Sequence, residues 1–373
     1  MTQPAAPAAV AVPATTVTAA SPAVVTYRGG AVENVHTAHI AVVDATGRLL
    51  LAAGNPARAT LPRSAAKPAQ ALAILESGAF ERFALDDADL ALMCASHSSE
   101  ERHIARAQAM LARVGAAEAE LACGGHPPIS EAVAHDWVRR GFTPTPVCSN
   151  CSGKHVGMLA AVRALGLPPH GYHQPGHPLQ ERVRATFADA CGLPQGAVDW
   201  AVDGCNLPTP SCALQGLATL FARLAQSADR QAGGQALAPR EGHLARIYRA
   251  MTSHPGLVAG EGRFCTALMQ AFGGALVGKT GADGCYGLGL RAGAATQRLG
   301  AEGAVGIAVK VEDGTGAVVP MVVCELLERL QIGSAAQRAQ LAAFHRPPMV
   351  NTRGVPTGHA EFVFTLQPPG AGA

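Results

Sequence analysis

Short apolar runs at residues 38–43 and 49–53 flank the turn-forming stretch Asp44-Ala45-Thr46-Gly47, a pattern that predicts a β-hairpin. After Pro62-Arg63-Ser64 the apolar spacing changes to the helical period and continues to Glu76, where Gly78 stops it. Ser64 falls near the start of that helix, and Pro68 is tolerated in its first turn. Helical periodicity returns over 101–115, 130–139, 154–165, 179–191, 213–226, 241–252 and 265–272. Residues 147–153 form a loop rich in Cys, Ser, Asn and Gly. Past Lys279 the pattern shifts again: 286–292 and 305–311 read as strands, 318–330 and 335–344 as helices, and 361–366 as a late strand. No internal repeat is visible. Strands, a helix, a long helical middle, strands and a last helix make an α+β layout. Both ends of the chain then share one antiparallel sheet flanked by helices. The middle, within about 85–260, makes a helical lobe, and Ser64 sits between the two parts.

Composition narrows the functional classes. The chain has 373 residues, 48% of them hydrophobic, enough for one large domain over 25–373. Charged residues are only 15% and the net charge is +2, with no basic stripe carrying interleaved aromatics, so no nucleic-acid partner is expected. Residues 1–24 are rich in Ala, Pro, Thr and Val, carry no charge and lack a basic start, so they read as a disordered tail rather than a signal peptide. No stretch is long and apolar enough for a bilayer, so no membrane partner is expected and the expected location is the cytoplasm. In that compartment the ten cysteines read as free thiols or metal ligands, not as a disulfide framework.

Three segments carry candidate chemistry: Ser64-Ala65-Ala66-Lys67, Ser96-His97-Ser98 and Lys279-Thr280-Gly281. They read S-x-x-K, S-x-S and K-T-G. Serine penicillin-recognising enzymes use S-x-x-K, S-D-N and K-T-G in the same order. A Ser-Lys site makes an acyl-enzyme without histidine, provided the lysine is held neutral beside the serine. On a helix, positions i and i+3 share a face, which brings Ser64 and Lys67 together. His97 and Ser98 stand where S-D-N has Asp and Asn, which weakens a β-lactamase reading. Cys148-x-x-Cys151, taken alone, reads as a redox pair or half of a cysteine-rich zinc site, and no second C-x-x-C completes one.

The loop Cys148-Ser149-Asn150-Cys151-Ser152-Gly153-Lys154-His155 narrows the reading. Together with Arg28-Gly29-Gly30, Glu33, Arg63-Ser64-x-x-Lys67-Pro68, Ser96-His97-Ser98 and Val202-Asp203-Gly204-Cys205, it resembles the rhizobial-type (class 3, asparaginase II family) L-asparaginases. The resemblance runs from about Tyr27 to the C-terminal region. It implies a fold like serine β-lactamases and glutaminases, a homodimer, and hydrolysis of L-asparagine to L-aspartate and ammonia. It implies two Ser-Lys pairs, Ser64 with Lys67 and Ser96 with Lys279, and a zinc ion held by Cys151, Lys154 and Cys265. Asp203 aligns with a substrate- and metal-side residue, and Arg63 and His155 with site-lining positions.

The residues suit those roles. A free amino acid needs an anion for its ammonium and a cation for its carboxylate. Asp203 supplies the first, and the Arg63 fork suits the second. Ser64 is the expected nucleophile with Lys67 as its base. Lys279 is the second cation that keeps Lys67 neutral, and Ser96 relays protons. The rivals are a glutaminase or β-lactam hydrolase on the same scaffold, and a non-enzymatic zinc-binding module built on the cysteine loop.

Overall fold

The computed structural model describes residues 22–369. Its strands are β1 (Pro22–Arg28), β2 (Ala31–Asp44), β3 (Leu49–Ala53), β4 (Ala59–Thr60), β5 (Asp199–Val202), β6 (Pro208–Ala213), β7 (Leu276–Thr280), β8 (Cys285–Leu290), β9 (Val305–Val311), β10 (Met349–Val350) and β11 (Pro356–Phe362). The main sheet runs β10-β11-β1-β2-β9-β8-β7, with β3 also on β2, and its pairings are antiparallel. Its central seam pairs Ile40 with Val309 and Ala41 with Ala308, which joins the two ends of the chain. A small sheet, β4-β6-β5, lies apart.

The second half of β2 and all of β8 and β9 are buried throughout, so the sheet is covered on both faces. The helix Leu214–Ala232 packs on β2, β8 and β9, and Val318–Arg329 packs on β9 and β1. Two glycines set how closely the first helix lies. A Cβ at Gly287 would run into the Phe221 ring, and one at Gly306 into the Ala218 carbonyl oxygen. Apart from Leu214–Ala232, which covers the sheet, the helices from Asp87–Met93 to Pro239–Ser253 form the lobe beside it, with the β5–β6 hairpin among them. This is the α+β architecture, an antiparallel sheet flanked by helices, that the sequence predicts.

Several boundaries differ from the sequence reading. β1 begins at Pro22, and Ala23 and Val24 are fully buried, so ordered structure reaches into the stretch read as a tail; residues 1–21 lie outside the described residues. The helix expected over 335–344 is two short turns, Ala335–Ala339 and Ala342–His345. The last strand lies earlier than 361–366, because β1 supplies the pairing for Pro356–Phe362. The first half of β2 is exposed and mixed in polarity, so tertiary pairing with β1, not periodicity, makes it a strand. Among the described residues no helix is long and apolar enough to cross a membrane.

Candidate active site

Ser64 lies in a single 3-10 turn, Arg63–Ala66, that leads straight into the helix Lys67–Leu75. Arg63 enters that turn with φ +51°, a left-handed conformation that costs a non-glycine residue free energy and often marks functional sites. The turn is seated on the K-T-G segment. A Cβ at Gly281 would strike the Pro62 carbonyl oxygen, so only glycine lets the end of β7 come this close to the serine-bearing turn.

Behind that turn the two lysines converge on Ser96. Lys67 Nζ donates to Ser96 Oγ at 3.2 Å and to the Ala95 carbonyl oxygen. Lys279 Nζ reaches the same Ser96 Oγ at 2.9 Å and the Thr280 carbonyl at 2.7 Å. Both lysines are fully buried, and no carboxylate pairs with either among the described residues. Burial, followed by the like charge of Lys67, pushes the Lys279 amine down to about 7. The sequence reading had singled out Lys67 as the neutral partner; the lysine with a lowered pKa here is its neighbour across Ser96, Lys279. Ser64 Oγ makes no hydrogen bond to Lys67 among the described residues; both Lys67 bonds go to the 95–96 segment.

Ser64 instead opens on a cavity of about 240 Å³, lined by Arg63, Asp203, His126, Asn150, Cys151 and Cys205, among others. Arg63 Nε donates to Asp203 Oδ1 at 2.7 Å, and Nη1 to Asp283 Oδ2 at 2.5 Å. Burial alone would raise Asp203, but the Lys154 charge and the Arg63 hydrogen bond outweigh it and hold the carboxyl below its ordinary range. Arg63 and Asp203 therefore face the cavity as a fixed cation and a fixed anion.

The cysteine loop closes the same cavity. Cys151 ends the loop, and Lys154 follows in the first turn of the helix Ser152–Ala164. Lys154 Nζ lies 3.0 Å from Cys205 Sγ. The neighbouring Cys151 thiol, whose Sγ donates to Asn150 Oδ1 at 3.0 Å, and the Lys154 charge together outweigh burial and lower Cys205 to about 4, favouring its thiolate. The Cys205 sulfur and burial push Cys151 up to about 12. Burial would lower Lys154, yet the two cysteines and Asp203 raise it above its ordinary value.

Two sequence assignments change. Cys265 does not join Cys151 and Lys154. It sits on the helix Phe264–Phe272, packed against β7, where its sulfur accepts the Thr280 N–H at 3.2 Å. Cys205 takes the place beside Lys154, carried there by the loop after β5 that also carries Asp203. His155 does not line the cavity. One helical step turns it about 100° from Lys154, and it is fully buried with Nδ1 2.6 Å from Tyr172 Oη. Burial and the Lys154 charge push its pKa down to about 3, and its Nε2 has no partner among the described residues.

Two histidines outside the expected set brace the site. His97 Nδ1 accepts the Ser99 N–H, and its Nε2 meets Ser152 Oγ at 2.9 Å, tying the Ser96 segment to the cysteine loop. His126 Nε2 accepts the Asn150 N–H at 3.1 Å and lines the cavity. Neither has a local signal beyond being a histidine, because each acts across a long loop. All ten cysteines are free. Among the described residues no three His, Cys, Asp or Glu side chains come together to hold a metal. The Cys151 and Cys205 sulfurs are zinc-type donors, whereas the Lys154 amine, held protonated beside them, is one only after losing its proton.

Comparison with known proteins places the chain among amidohydrolases. The family model described as L-asparaginase II matches residues 24–362, and the chain belongs to that family. It is thus an asparaginase-type amidohydrolase, with asparagine as the substrate that family membership implies. No curated protein matches. A solved structure titled "Crystal Structure Analysis of Mglu" is similar over 80% of this chain and 69% of that chain, at 16% identity and a TM-score of 0.41, too distant to carry an argument.

Proposed function

We propose that this protein is an L-asparagine amidohydrolase that works through a Ser64 acyl-enzyme. The supporting observation is the placement of Ser64 on one small cavity with the Arg63–Asp203 pair. About 240 Å³ suits a single amino acid and is small beside the roughly 300–1,000 Å³ of sites for drug-sized ligands. That size disfavours a β-lactam. Arg63 takes the α-carboxylate and Asp203 the α-ammonium, which leaves the side-chain amide toward Ser64.

Ser64 Oγ attacks the amide carbon, and its proton passes to the lysine network. Backbone N–H groups, that of Ser64 among them, hold the oxyanion. The C–N bond breaks and the network returns the proton to the leaving ammonia. Water then attacks the β-aspartyl ester, regenerating Ser64 and releasing L-aspartate. Ser96 links the two lysines: it accepts from a charged one while its own proton goes to a neutral one. The decisive experiment mixes the protein with asparagine and follows its intact mass. An aspartyl adduct on the wild type, absent with ammonia release in Ser64→Ala, is expected. Full turnover in Ser64→Ala would end this reading.

Zinc belongs to the same proposal. Cys151, Lys154 and Cys205 would hold it, and when bound it supplies positive charge beside Asp203. Binding must displace protons from Lys154 and Cys151, so uptake should rise with pH. Elemental analysis should find zinc in the wild type and lose it in Cys205→Ala but not in Cys265→Ala. Equal loss in both would restore Cys265. The homodimer and the cytoplasmic location rest on the resemblance and composition alone; sedimentation and cell fractionation check them.

A further inference from the structure

Arg63 is shared between two carboxylates, and the proposed reaction uses only one of them. Asp203 is largely buried, while the Asp283 side chain is 70% exposed at the cavity rim. Asp283 lies in the turn between β7 and β8, beside the cavity-lining Ala282. The turn is well held. Gly281 N–H donates to the Cys285 carbonyl at 2.8 Å, and the Lys310 ammonium donates to the Asp283 carbonyl at 2.5 Å. Asp283 has φ +53°, a conformation that Asp and Asn adopt more readily than other side chains. Its carboxylate is therefore presented from a fixed backbone.

The guanidinium geometry gives that carboxylate a consequence. Nε is committed to Asp203 and Nη1 to Asp283, and Nη2 donates to no protein acceptor among the described residues. A ligand carboxylate that takes the end-on fork needs Nη1 as well as Nη2. It must displace Asp283. The rim charge also opposes any ligand with net negative charge and barely affects a net-neutral zwitterion. Asparagine is net neutral. Its hydrolysis product carries one more carboxylate and a net charge of about −1 at neutral pH.

We propose that Asp283 is a specificity-determining residue, a rim carboxylate whose charge favours the net-neutral amide over its anionic product. Its competition for Arg63 weakens both alike, because both bring an α-carboxylate; the discrimination comes from the product's extra charge, and Asp283 touches no reacting atom. The inference rests on the asparagine-hydrolase reading above.

The test measures the inhibition constant for L-aspartate against KM for L-asparagine in wild type, Asp283→Asn and Asp283→Glu. Asn keeps the shape and tolerates the positive φ. The ratio of Ki to KM should fall about two- to fivefold in Asp283→Asn, the range of an exposed charge pair. The difference should shrink at high salt, and Asp283→Glu should restore the wild-type ratio. If KM and Ki move by the same factor, or neither moves, Asp283 only steadies Arg63 and the proposal fails. Calorimetry with both amino acids on Ser64→Ala protein, with and without the change at 283, separates the two readings. Binding of neither amino acid overturns the substrate assignment and the inference with it. Binding of both at an unmoved ratio overturns the inference alone.

Discussion

Lys279 and Lys154 are both buried lysines within one site, and the protein treats them oppositely. Lys279 meets Ser96, a backbone carbonyl and the like charge of Lys67, and is pushed down to about 7. Lys154 meets the Cys205 thiolate and is held above its ordinary value. Burial works the same way on both, so the neighbour decides the charge. One lysine is made ready to take a proton, and the other is made a permanent cation unless a metal displaces its proton.

The sharpest way to break this comparison is to remove each lysine's distinguishing neighbour or the lysine itself. Lys279→Met should cost about 10²–10⁴-fold in kcat/KM, the usual worth of a positioned proton-transfer group, with the fold intact by circular dichroism. A loss under tenfold would leave Lys279 as packing. On the other side, Cys205→Ala strips Lys154 of its anion. Breaking a buried pair typically costs about 3–5 kcal/mol. The low end is expected here because Asp203 still attracts the ammonium. Urea unfolding at pH 7 measures it, and an unchanged midpoint would mean Cys205 is not the thiolate that holds Lys154.

Two finer effects depend on pH. Activity should rise through an apparent pKa near 7, belonging to the coupled lysines together. A profile of kcat/KM that is flat across that value would deny a neutral lysine. Stability gives the smaller signal. Lys279 has a folded value of about 7 against an ordinary 10.5, so the unfolded chain binds the extra proton between them. Its contribution is therefore greatest above the ordinary value and is lost as pH falls through 7. Lys279→Met should be the more stable protein near neutrality, with an advantage that shrinks as pH rises toward 10. A thermal-melt difference that stays constant with pH would contradict the shift.

Which parts of this site were legible in the sequence follows the same division. Ser64 and Lys67 lie three residues apart at one helix start, so spacing alone places them on one turn, although Lys67 Nζ bonds Ser96 and not Ser64. The K-T-G strand and its glycine also carry a local signature. Cys205 does not. Its partner Lys154 is 51 residues away, and only the reach of the loop between β5 and β6 to the start of the helix Ser152–Ala164 brings them together. Cys265 entered through the family resemblance, with no local signal of its own to set against Cys205. His155 was given a site-lining place by the resemblance alone; in the helix Ser152–Ala164 it turns away from Lys154 and the cavity. Asp283 has no signal at all: an aspartate before a glycine is an ordinary turn until Arg63 is seen beside it. The sheet's outline was clear wherever both faces are apolar, and was missed in the exposed half of β2.

The seam between β2 and β9 bears on the order in which the enzyme comes into being. Ser96 and Lys279 are separated by 183 residues, and Ile40 waits for Val309 before the sheet closes. During synthesis the serine-bearing turn and the helical lobe leave the ribosome first, and contacts of such range form late. A nascent chain therefore holds Ser64, Lys67 and Ser96 without the second amine. On the mechanism proposed above, hydrolytic competence would wait for the strand that delivers Lys279.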